Sequence, residues 1–273
     1  MVEQVAELAR HDLPRRTSIA VHSDRSEDEA NGPLIEDQLH VPIPRVSVVM
    51  PTLNEAANLA LVLPRMPRWI HELIIVDGLS TDETVDVARR LYPDVRIVIE
   101  SRRGKGAALR AGFARATGDV IVMIDADGSM NPDEMILLIG ALLAGADLAK
   151  GSRYIAGGGS TDLSFIRALG NWALTTSVRM LYGCRFTDLC YGYMAFWRRT
   201  LPVLESACDG FEIETMLCVR ALSHGLKIME VASCEAERVH GVSNLRAFPD
   251  GWRVLKTILS QRLAGVYPRV SLQ

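Results

Sequence analysis

The sequence has no pair of cysteines with CxxC spacing, and its total of five cysteines is odd. Both facts argue against a zinc site or a disulfide framework, and they favour a reducing compartment such as the cytoplasm. A strong positive charge is also missing, since the net charge is -3. We therefore expect no nucleic-acid partner.

Long apolar runs are absent as well. The longest, residues 135–149, is interrupted by Gly140, Gly145 and Asp147 and is shorter than the roughly 20 residues that cross a bilayer. Charged residues throughout Met1–Arg16 argue against a signal peptide. We expect a cytoplasmic protein that is soluble or lies peripherally at the inner face of the membrane.

The character of the chain changes near residue 45. Residues 1–44 carry many charged and turn-forming residues and few large apolar ones, so we predict a disordered or poorly ordered arm. Hydrophobic residues make up 48% of the sequence, which is enough for a substantial core. We predict a folded domain over residues 45–245, followed by a C-terminal amphipathic helix and tail over 246–273.

Continuous apolar runs alternate with helical patterns in this domain, and such runs are typical of strands buried on both faces. The predicted strands cover residues 46–50, 73–76, 95–99, 120–124, 146–150 and 228–231. The predicted helices cover residues 55–63, 82–91, 107–116, 133–144, 163–181, 211–223 and 248–263. This alternation predicts an α/β fold in which helices flank a mostly parallel central sheet.

A first candidate site is Asp125-Ala126-Asp127, which follows the predicted strand 120–124. Positions two apart in a strand face the same way, so both carboxylates can point at one spot. Hard oxygen ligands suit Mg²⁺ or Mn²⁺, and such an ion commonly bridges to a substrate diphosphate. An ordinary polar turn is the other interpretation, because Asp and Gly are common turn residues. The tripeptide alone leaves both open.

Polar residues also follow other predicted strands. Asp77 follows the second strand and Arg153 follows the fifth. Ligands of open α/β sheets bind beyond the carboxyl ends of the strands, so this coincidence favours a site there. Gly104-Lys105-Gly106 is a basic turn before a helix and suits anions in general. It matches neither common phosphate loop, because Leu109 breaks the GxGxxG pattern and no Gly-Lys-Ser/Thr is present.

The predicted helix 248–263 is amphipathic. Trp252, Leu255 and Ile258 recur at helical spacing, with Arg253 and Lys256 among them. Two roles stay open, which are packing on the domain and lying on an anionic membrane surface.

Several motifs occur in a fixed order along the chain. Those of the first half are Pro51-Thr52-Leu53-Asn54-Glu55, Asp77-Gly78-Leu79-Ser80-Thr81-Asp82, Gly104-Lys105-Gly106, Asp125-Ala126-Asp127-Gly128 and Gly151-Ser152-Arg153-Tyr154. Those of the second half are Thr187-Asp188 with Gly192 and Arg198, Phe211-Glu212-Ile213-Glu214, and Arg238-Val239-His240-Gly241-Val242-Ser243. The ordered set resembles family 2 glycosyltransferases with the GT-A fold, and its later members resemble the dolichyl-phosphate mannosyltransferase branch. The resemblance covers roughly residues 45–260.

This resemblance implies a catalytic domain with a nucleotide-sugar half over residues 45–154 and an acceptor half over 155–245. Pro51, Leu53 and Glu55 would line the nucleotide base. Asp77, next to Gly78, would hold the base or the ribose.

The resemblance also implies the diphosphate site. Asp125 and Asp127 would flank the ribose and diphosphate, and both would ligate Mg²⁺ or Mn²⁺, with Asp127 as the principal ligand. Lys105 and Ala126 belong to the same donor-binding motifs.

In the second half, Arg153 and Arg238 would hold phosphates of the donor or the acceptor. Asp188 and Glu214 lie where the acceptor part of the site would form. An alcohol acceptor would need a carboxylate as general base, for which we favour Asp188 over Glu214. A phosphate acceptor is already ionised near pH 7, since its second pKa is about 6, and can attack unaided.

Four positions depart from the pattern of the branch. Leu53 stands where tyrosine is frequent, and Gly78 stands where a second aspartate is common. Ser129 replaces a glutamine that helps bind the metal, and Asn244 replaces a lysine near the expected acceptor phosphate. The C-terminal membrane helices of some members are also missing.

The resemblance implies an inverting, metal-dependent transfer of a sugar from a nucleotide diphosphate donor, GDP-mannose or a UDP-sugar, to a polyprenyl or dolichyl phosphate. A soluble enzyme acting on a small-molecule acceptor is an alternative, which Asn244 and the missing membrane helices favour. A non-catalytic sensor of nucleotide sugars is a third, which the intact acids at 125 and 127 disfavour.

Overall fold

The computed structural model describes residues 44–204, 207–241 and 246–264. The predicted arm, residues 1–44, falls outside the described residues except for Pro44. Asn244 and the tail beyond residue 264 also lie outside them. The domain boundaries predicted from the sequence stay predictions.

Strands and helices alternate along the described chain. The strands are β1 Val46–Thr52, β2 Glu72–Asp77, β3 Arg96–Ile99, β4 Val120–Met123, β5 Leu148–Ser152, β6 Gly159–Ser160, β7 Met194–Trp197, β8 Ile228–Ala232 and β9 Cys234–Glu235. The α-helices are α1 Ala56–Val62, α2 Thr84–Leu91, α3 Lys105–Phe113, α4 Met135–Leu143, α5 Phe165–Tyr182, α6 Leu201–Leu204, α7 Ile213–Ser223 and α8 Ala247–Leu263. None of the helices in the described ranges combines the length and apolar character needed to cross a bilayer.

Seven strands form one sheet in the order β3-β2-β1-β4-β7-β5-β8. Strand β7 runs antiparallel to its neighbours β4 and β5, and the other pairings in this sheet are parallel. The predicted α/β fold with a mostly parallel sheet is therefore confirmed. Strand β7 was missing from the predicted strands, because aromatic residues and paired arginines flank its apolar residues and obscure the pattern. The small parallel pair β6–β9 was also not predicted.

Two apolar layers cover the sheet, one on each face. Val48 and Met50 of β1 belong to the layer that contains α1, α2 and α4, whereas Val49 belongs to the layer with α3, α5, α7 and α8. All three side chains are inaccessible to solvent. A strand buried on both faces needs apolar residues at every position, which explains the continuous apolar runs in the sequence.

The carboxyl ends of β1, β2, β4 and β5 lie along one edge of the sheet, because these strands run in the same direction. The chain at or just beyond these ends carries Glu55, Asp77, Asp125 and Arg153. Residues far apart in sequence are thus brought to one place, as expected for ligand sites in such sheets.

Candidate active site

A cavity of about 1220 Å³ opens along this edge of the sheet. Much of its wall is charged, with contributions from Glu55, Lys105, Asp125, Asp127, Arg153, Arg167, Glu214, Glu235 and Arg238. The wall contributed by α5 and α8 is largely apolar and includes Ile166, Leu169, Leu174, Phe248 and Val254. The same cavity therefore offers surfaces for an anionic and for an apolar group.

The ammonium group of Lys105 lies between two carboxylates of this cavity. Its Nζ donates to Oδ2 of Asp125 at 2.8 Å and to Oε1 of Glu214 at 2.6 Å. Lys105 begins α3 directly after Gly104, whose φ of 117° suits only glycine. A Cβ at that position would also collide with the carbonyl of Asp209. The close turn at Gly104 thus fixes where the lysine enters the site.

Negative charge exceeds positive charge around this lysine. The pKa of Asp125 is raised to about 6, because burial, with the nearby Asp127 and Glu214, raises it more than Lys105 lowers it. Burial alone would lower the pKa of Lys105, but Asp125 and Glu214 raise it above its ordinary value. Three carboxylates near one lysine form an arrangement that an added cation would stabilise.

Arg238 connects the β1 motif with the acidic motif after β4. Its Nη1 lies 2.9 Å from Oε1 of Glu55, and its Nη2 lies 3.1 Å from Oδ2 of Asp127. The other oxygen of Asp127 accepts hydrogen bonds from the backbone N–H of Ser129 at 3.0 Å and from its hydroxyl at 2.7 Å. Ser129 therefore orients Asp127 through Oδ1. The second oxygen, Oδ2, is held by Arg238, a partner that a ligand can replace.

Arg153 is held on three sides. Its Nε and Nη2 donate to the two oxygens of Asp188 at 2.7 and 2.9 Å, and its Nη1 donates to Glu235 at 2.9 Å. The guanidinium carbon lies 4.9 Å from the ring centroid of Tyr191. A planar guanidinium fixed by two carboxylates and a ring has a defined direction, as a phosphate-binding arginine requires.

Asp188 is inaccessible to solvent and accepts four hydrogen bonds. Its Oδ1 accepts from Arg153 Nη2 and from Asn171 Nδ2 at 3.0 Å, and its Oδ2 accepts from Nε and the backbone N–H of Arg153. Burial would raise the pKa of Asp188, but hydrogen bonds from Arg153 and the charge of Lys150 hold it below its usual range. Four acceptor positions are all that a carboxylate has, so this geometry favours a positioning role over the predicted role as general base.

Asp77 ends β2 with one of its oxygens engaged. Oδ2 accepts a hydrogen bond from the backbone N–H of Ser80 at 3.0 Å, whereas Oδ1 is buried and has no partner among the described residues. The following residue, Gly78, lines the cavity, as do Pro51 and Leu53. A buried carboxylate oxygen without a donor is costly, so a ligand N–H at this point would stabilise it.

Most of the residues predicted from the sequence meet in this cavity. Those that line it are Pro51, Leu53, Glu55, Gly78, Lys105, Asp125, Ala126, Asp127, Arg153, Glu214 and Arg238. Asp77 and Asp188 do not line it, and each lies next to a residue that does. Sequence reasoning missed Arg167, Tyr191 and Glu235, although Tyr191 directly precedes Gly192 of a predicted motif.

The donor set fits a divalent cation. Asp125 and Asp127 present carboxylate oxygens to the cavity, the ligand class that Mg²⁺ and Mn²⁺ prefer. Within the described ranges, no group of three or more His, Cys, Asp or Glu side chains could hold a metal ion by itself. One or two carboxylates completed by substrate phosphates and water is the usual coordination of Mg²⁺. The site therefore suits an ion that binds together with a diphosphate.

Comparison with known proteins agrees with this geometry. The sequence profile of Glycosyl transferase family 2 matches residues 47–201. A polyprenol monophosphomannose synthase of Mycolicibacterium smegmatis is 37% identical over 218 residues, which cover 75% of this chain and 82% of that protein. An undecaprenyl-phosphate mannosyltransferase of Micrococcus luteus is 31% identical, over 84% of this chain and 100% of that protein.

A solved structure is similar over most of the chain. It is glucosyl-3-phosphoglycerate synthase from Mycobacterium tuberculosis in complex with Mn²⁺, UDP and glucosyl-3-phosphoglycerate. The TM-score is 0.65 at 28% identity, and the match covers 83% of this chain and 82% of that chain.

Proposed function

The chain belongs to glycosyl transferase family 2, and from this premise we propose that the enzyme moves a hexose from a nucleotide diphosphate sugar to the phosphate of a polyprenyl lipid. Its fold is the GT-A fold that the sequence predicts. The observation that carries the proposal is the cavity with one charged and one apolar wall. The charged wall suits two phosphate groups, and the apolar wall suits an isoprenoid chain.

The donor would bind along the ends of β1, β2 and β4. The buried, unpartnered Oδ1 of Asp77 can accept an N–H of the base. Uracil and guanine both present such an N–H, so UDP-sugars and GDP-mannose both fit this feature. Pro51, which pairs with Val76 in the sheet, and Leu53 also line the cavity and supply apolar surface for the base.

The diphosphate would lie near Asp125 and Asp127, which would hold Mg²⁺ or Mn²⁺. When bound, the ion would supply Lewis-acid stabilisation of the charge that develops on the leaving diphosphate. Arg238 would then exchange Asp127 for a phosphate oxygen, since its Nη2 already lies 3.1 Å from that carboxylate. Glu55 keeps the other end of this arginine in place at 2.9 Å.

The acceptor phosphate would lie between Arg153 and Arg167, which both line the cavity. Three N–H groups of Arg153 are engaged by Asp188 and Glu235, and a guanidinium has five. Two donors thus remain for a phosphate. Arg167 is on α5, whose Ile166 and Leu169 begin the apolar wall. The phosphate and the lipid chain of one molecule can therefore be bound by neighbouring parts of the cavity.

The transfer is a single displacement at the anomeric carbon. A phosphate oxygen of the acceptor forms the new bond while the bond to the donor diphosphate breaks, and the nucleoside diphosphate leaves with the electron pair. Attack from the opposite side inverts the anomeric configuration. No proton has to move, because a phosphate monoester is ionised near pH 7. The full occupation of Asp188 by hydrogen bonds agrees with a reaction that needs no general base.

An acceptor of this kind is a membrane lipid, so we place the enzyme peripherally at the cytoplasmic face of the membrane. A small phosphorylated acceptor is the second candidate. It is favoured by the similarity to glucosyl-3-phosphoglycerate synthase, and the charged wall alone would bind it.

Two steps test the proposal. A thermal-shift panel of UDP- and GDP-sugars with Mn²⁺ identifies the donor, which should stabilise the protein by about 2.7 kcal/mol at 100 times its dissociation constant. The radiolabelled donor is then incubated with undecaprenyl phosphate in detergent or with 3-phosphoglycerate. We expect nucleotide release and label that partitions into organic solvent with the lipid acceptor. Label transferred solely to the water-soluble acceptor would support the second candidate, and transfer to neither would overturn both.

A further inference from the structure

The outer faces of α5 and α8 carry many large apolar side chains that are exposed to solvent. Their exposed fractions range from 44% to 86%. On α5 they are Phe165, Ile166, Leu169, Trp172 and Met180, and on α8 they are Phe248, Trp252, Leu259 and Leu263. Soluble monomers rarely expose so many large apolar groups together, so this surface indicates an interaction site. We call it the α5–α8 face.

Both helices are anchored on the side opposite to this face. The inward side of α5 buries Asn171, Thr175 and Val178, and that of α8 buries residues such as Val254 and Ile258. The helices also contact each other, and the hydroxyl of Tyr182 donates to the backbone carbonyl of Ile258 at 2.8 Å. The exposed apolar residues therefore belong to packed helices with a defined second face.

Charge on these helices is of one sign. No acidic residue occurs in α5, and the one acidic residue of α8, Asp250, is buried. Exposed basic residues accompany the apolar ones, among them Arg179 and Lys256, whereas Arg253 pairs with Asp250 at 3.5 Å. The whole chain has a net charge of -3, so the local excess of positive charge on these helices is opposite in sign to the net charge of the protein. An occupant of the face should therefore be negatively charged and apolar.

We propose that the α5–α8 face docks on an anionic lipid bilayer, with both helices in the interface between headgroups and acyl chains. Helices with an apolar face, basic flanks and exposed tryptophan bind bilayers in this way, and anionic headgroups attract their basic residues. Trp172 and Trp252 would lie at the headgroup level, where indole rings are favoured. A second copy of this chain is a poorer occupant, because it would bring basic residues against basic residues.

The face is continuous with the active-site cavity. Ile166, Leu169 and Phe248 are exposed on the face and also line the cavity. The docked enzyme would thus open its cavity toward the bilayer, so that a lipid phosphate could enter without leaving the membrane. This consequence rests on the proposed acceptor, whereas the docking itself rests on the face alone.

Vesicle binding tests the docking without any assay of activity. The full chain is mixed with vesicles of phosphatidylglycerol and phosphatidylcholine or of phosphatidylcholine alone, and bound protein is measured by flotation. We expect binding to the anionic vesicles and at least tenfold weaker binding to the neutral ones. The double variant Trp172→Glu/Trp252→Glu should weaken binding at least tenfold. Its control is Ile136→Glu/Leu143→Glu, which adds the same charge at two exposed apolar positions of α4.

A second pair of variants tests the charge. Arg179→Gln/Lys256→Gln removes two basic residues from the face, and Arg89→Gln/Arg90→Gln removes two from α2. At about 1 kcal/mol for each basic residue near an anionic surface, the first pair should weaken binding about 25-fold at physiological salt. The control pair should change it less than threefold.

Each outcome decides between the occupants. Absence of wild-type binding to anionic vesicles, or equal loss in test and control variants, would overturn the docking proposal. A dimer in sedimentation that Trp172→Glu/Trp252→Glu dissociates would assign the face to a second copy. Vesicle binding without transfer to undecaprenyl phosphate would overturn the proposed function and support the docking surface. Transfer in detergent without vesicle binding would overturn the docking surface and support the proposed function.

Discussion

Asp188 binds Arg153 at two points, with Nε–Oδ2 and Nη2–Oδ1 distances of 2.7 and 2.9 Å, and is itself inaccessible to solvent. A carboxylate in this state is a poor general base, because its acceptor positions are filled and its pKa is held low by its hydrogen-bonded partner. Its effect on the reaction would pass through the arginine. Glu214 lines the cavity and is the better placed of the two carboxylates for direct contact with an acceptor.

Asp188→Asn should therefore act on acceptor binding. The amide oxygen can still accept one hydrogen bond from Arg153, but an NH2 donor replaces the second acceptor and the charge is lost, so the guanidinium becomes less well fixed. We expect the KM for the acceptor to rise about tenfold, from a loss of about 1.5 kcal/mol, with a smaller change in kcat and an unchanged pH profile. Steady-state kinetics between pH 6 and 9 measure both. A fall of a thousandfold or more in kcat at unchanged KM would instead assign the base role to Asp188.

Much of the sheet and of the acidic part of the site could be predicted from the sequence, because both depend on local patterns. The run 120–124 is apolar at every position, and Asp125 and Asp127 follow directly, so strand and site are adjacent in the chain. Strand β7, Met194–Trp197, is as long as β4 but lies between Tyr193 and the paired arginines at 198 and 199, which obscure such a signal.

The partners of each charged group could not be predicted in the same way. Asp188 is 35 residues from Arg153, and Arg238 is 183 residues from Glu55. No local pattern encodes such pairs, since they depend on how the sheet edge assembles. The exposed side of α5 could not be predicted either. Apolar residues occur on both sides of this helix, so the sequence does not indicate which side packs on the domain.

Arg238 and Asp127 lead to a prediction about metal binding. Because Arg238 Nη2 occupies one oxygen of Asp127, a metal ion that arrives without nucleotide must displace it. Arg238→Gln should therefore bind Mn²⁺ about fivefold more tightly in the absence of nucleotide, for an ion pair of about 1 kcal/mol. Electron paramagnetic resonance of free Mn²⁺ measures this affinity directly. Arg167→Gln is the matched control, since it removes the same charge from the cavity wall without touching Asp127. Equal affinity in wild type and Arg238→Gln would contradict the exchange.

Glu72 gives a prediction about stability and pH. Burial would raise its pKa, but hydrogen bonds from Ser47, Thr117 and Arg96 lower it from 4.5 to about 2. A carboxyl with a lowered pKa in the folded state adds stability above its unfolded pKa, and this contribution is lost as the pH falls through the folded value. Glu72→Gln should thus lower the free energy of unfolding by about 1–3 kcal/mol at pH 7.

The difference between wild type and Glu72→Gln should shrink as the pH falls from about 4.5 toward 2. Urea unfolding at pH 7, 4.5 and 3 measures it. The exposed Glu83 provides a control, because Glu83→Gln should cost less than about 0.5 kcal/mol at pH 7. A difference that stays constant over this pH range would show that the charge of Glu72 contributes nothing.

A substitution at Gly192 should change activity without a large change in stability. A Cβ at this position would collide with Oε1 of Glu214, lie 2.9 Å from its Cδ and lie 3.1 Å from Nζ of Lys105. The obstacle is the end of a flexible side chain, so Gly192→Ala should fold while Glu214 moves away from Lys105. We expect kcat/KM to fall at least tenfold, with a change in unfolding free energy below about 1 kcal/mol.

The control for this variant is Gly140→Ala. Gly140 is in α4 and does not line the cavity, and a Cβ added there would meet no atom of the described residues within 4 Å. Alanine is the better helix former, so Gly140→Ala should raise the free energy of unfolding by about 0.5–1 kcal/mol and leave kcat/KM unchanged. The pair thus separates activity from stability, since Gly192→Ala should change mainly activity and Gly140→Ala should change stability alone. Full activity in Gly192→Ala would mean that contact between Lys105 and Glu214 is dispensable, because the substitution cannot leave both side chains where they are.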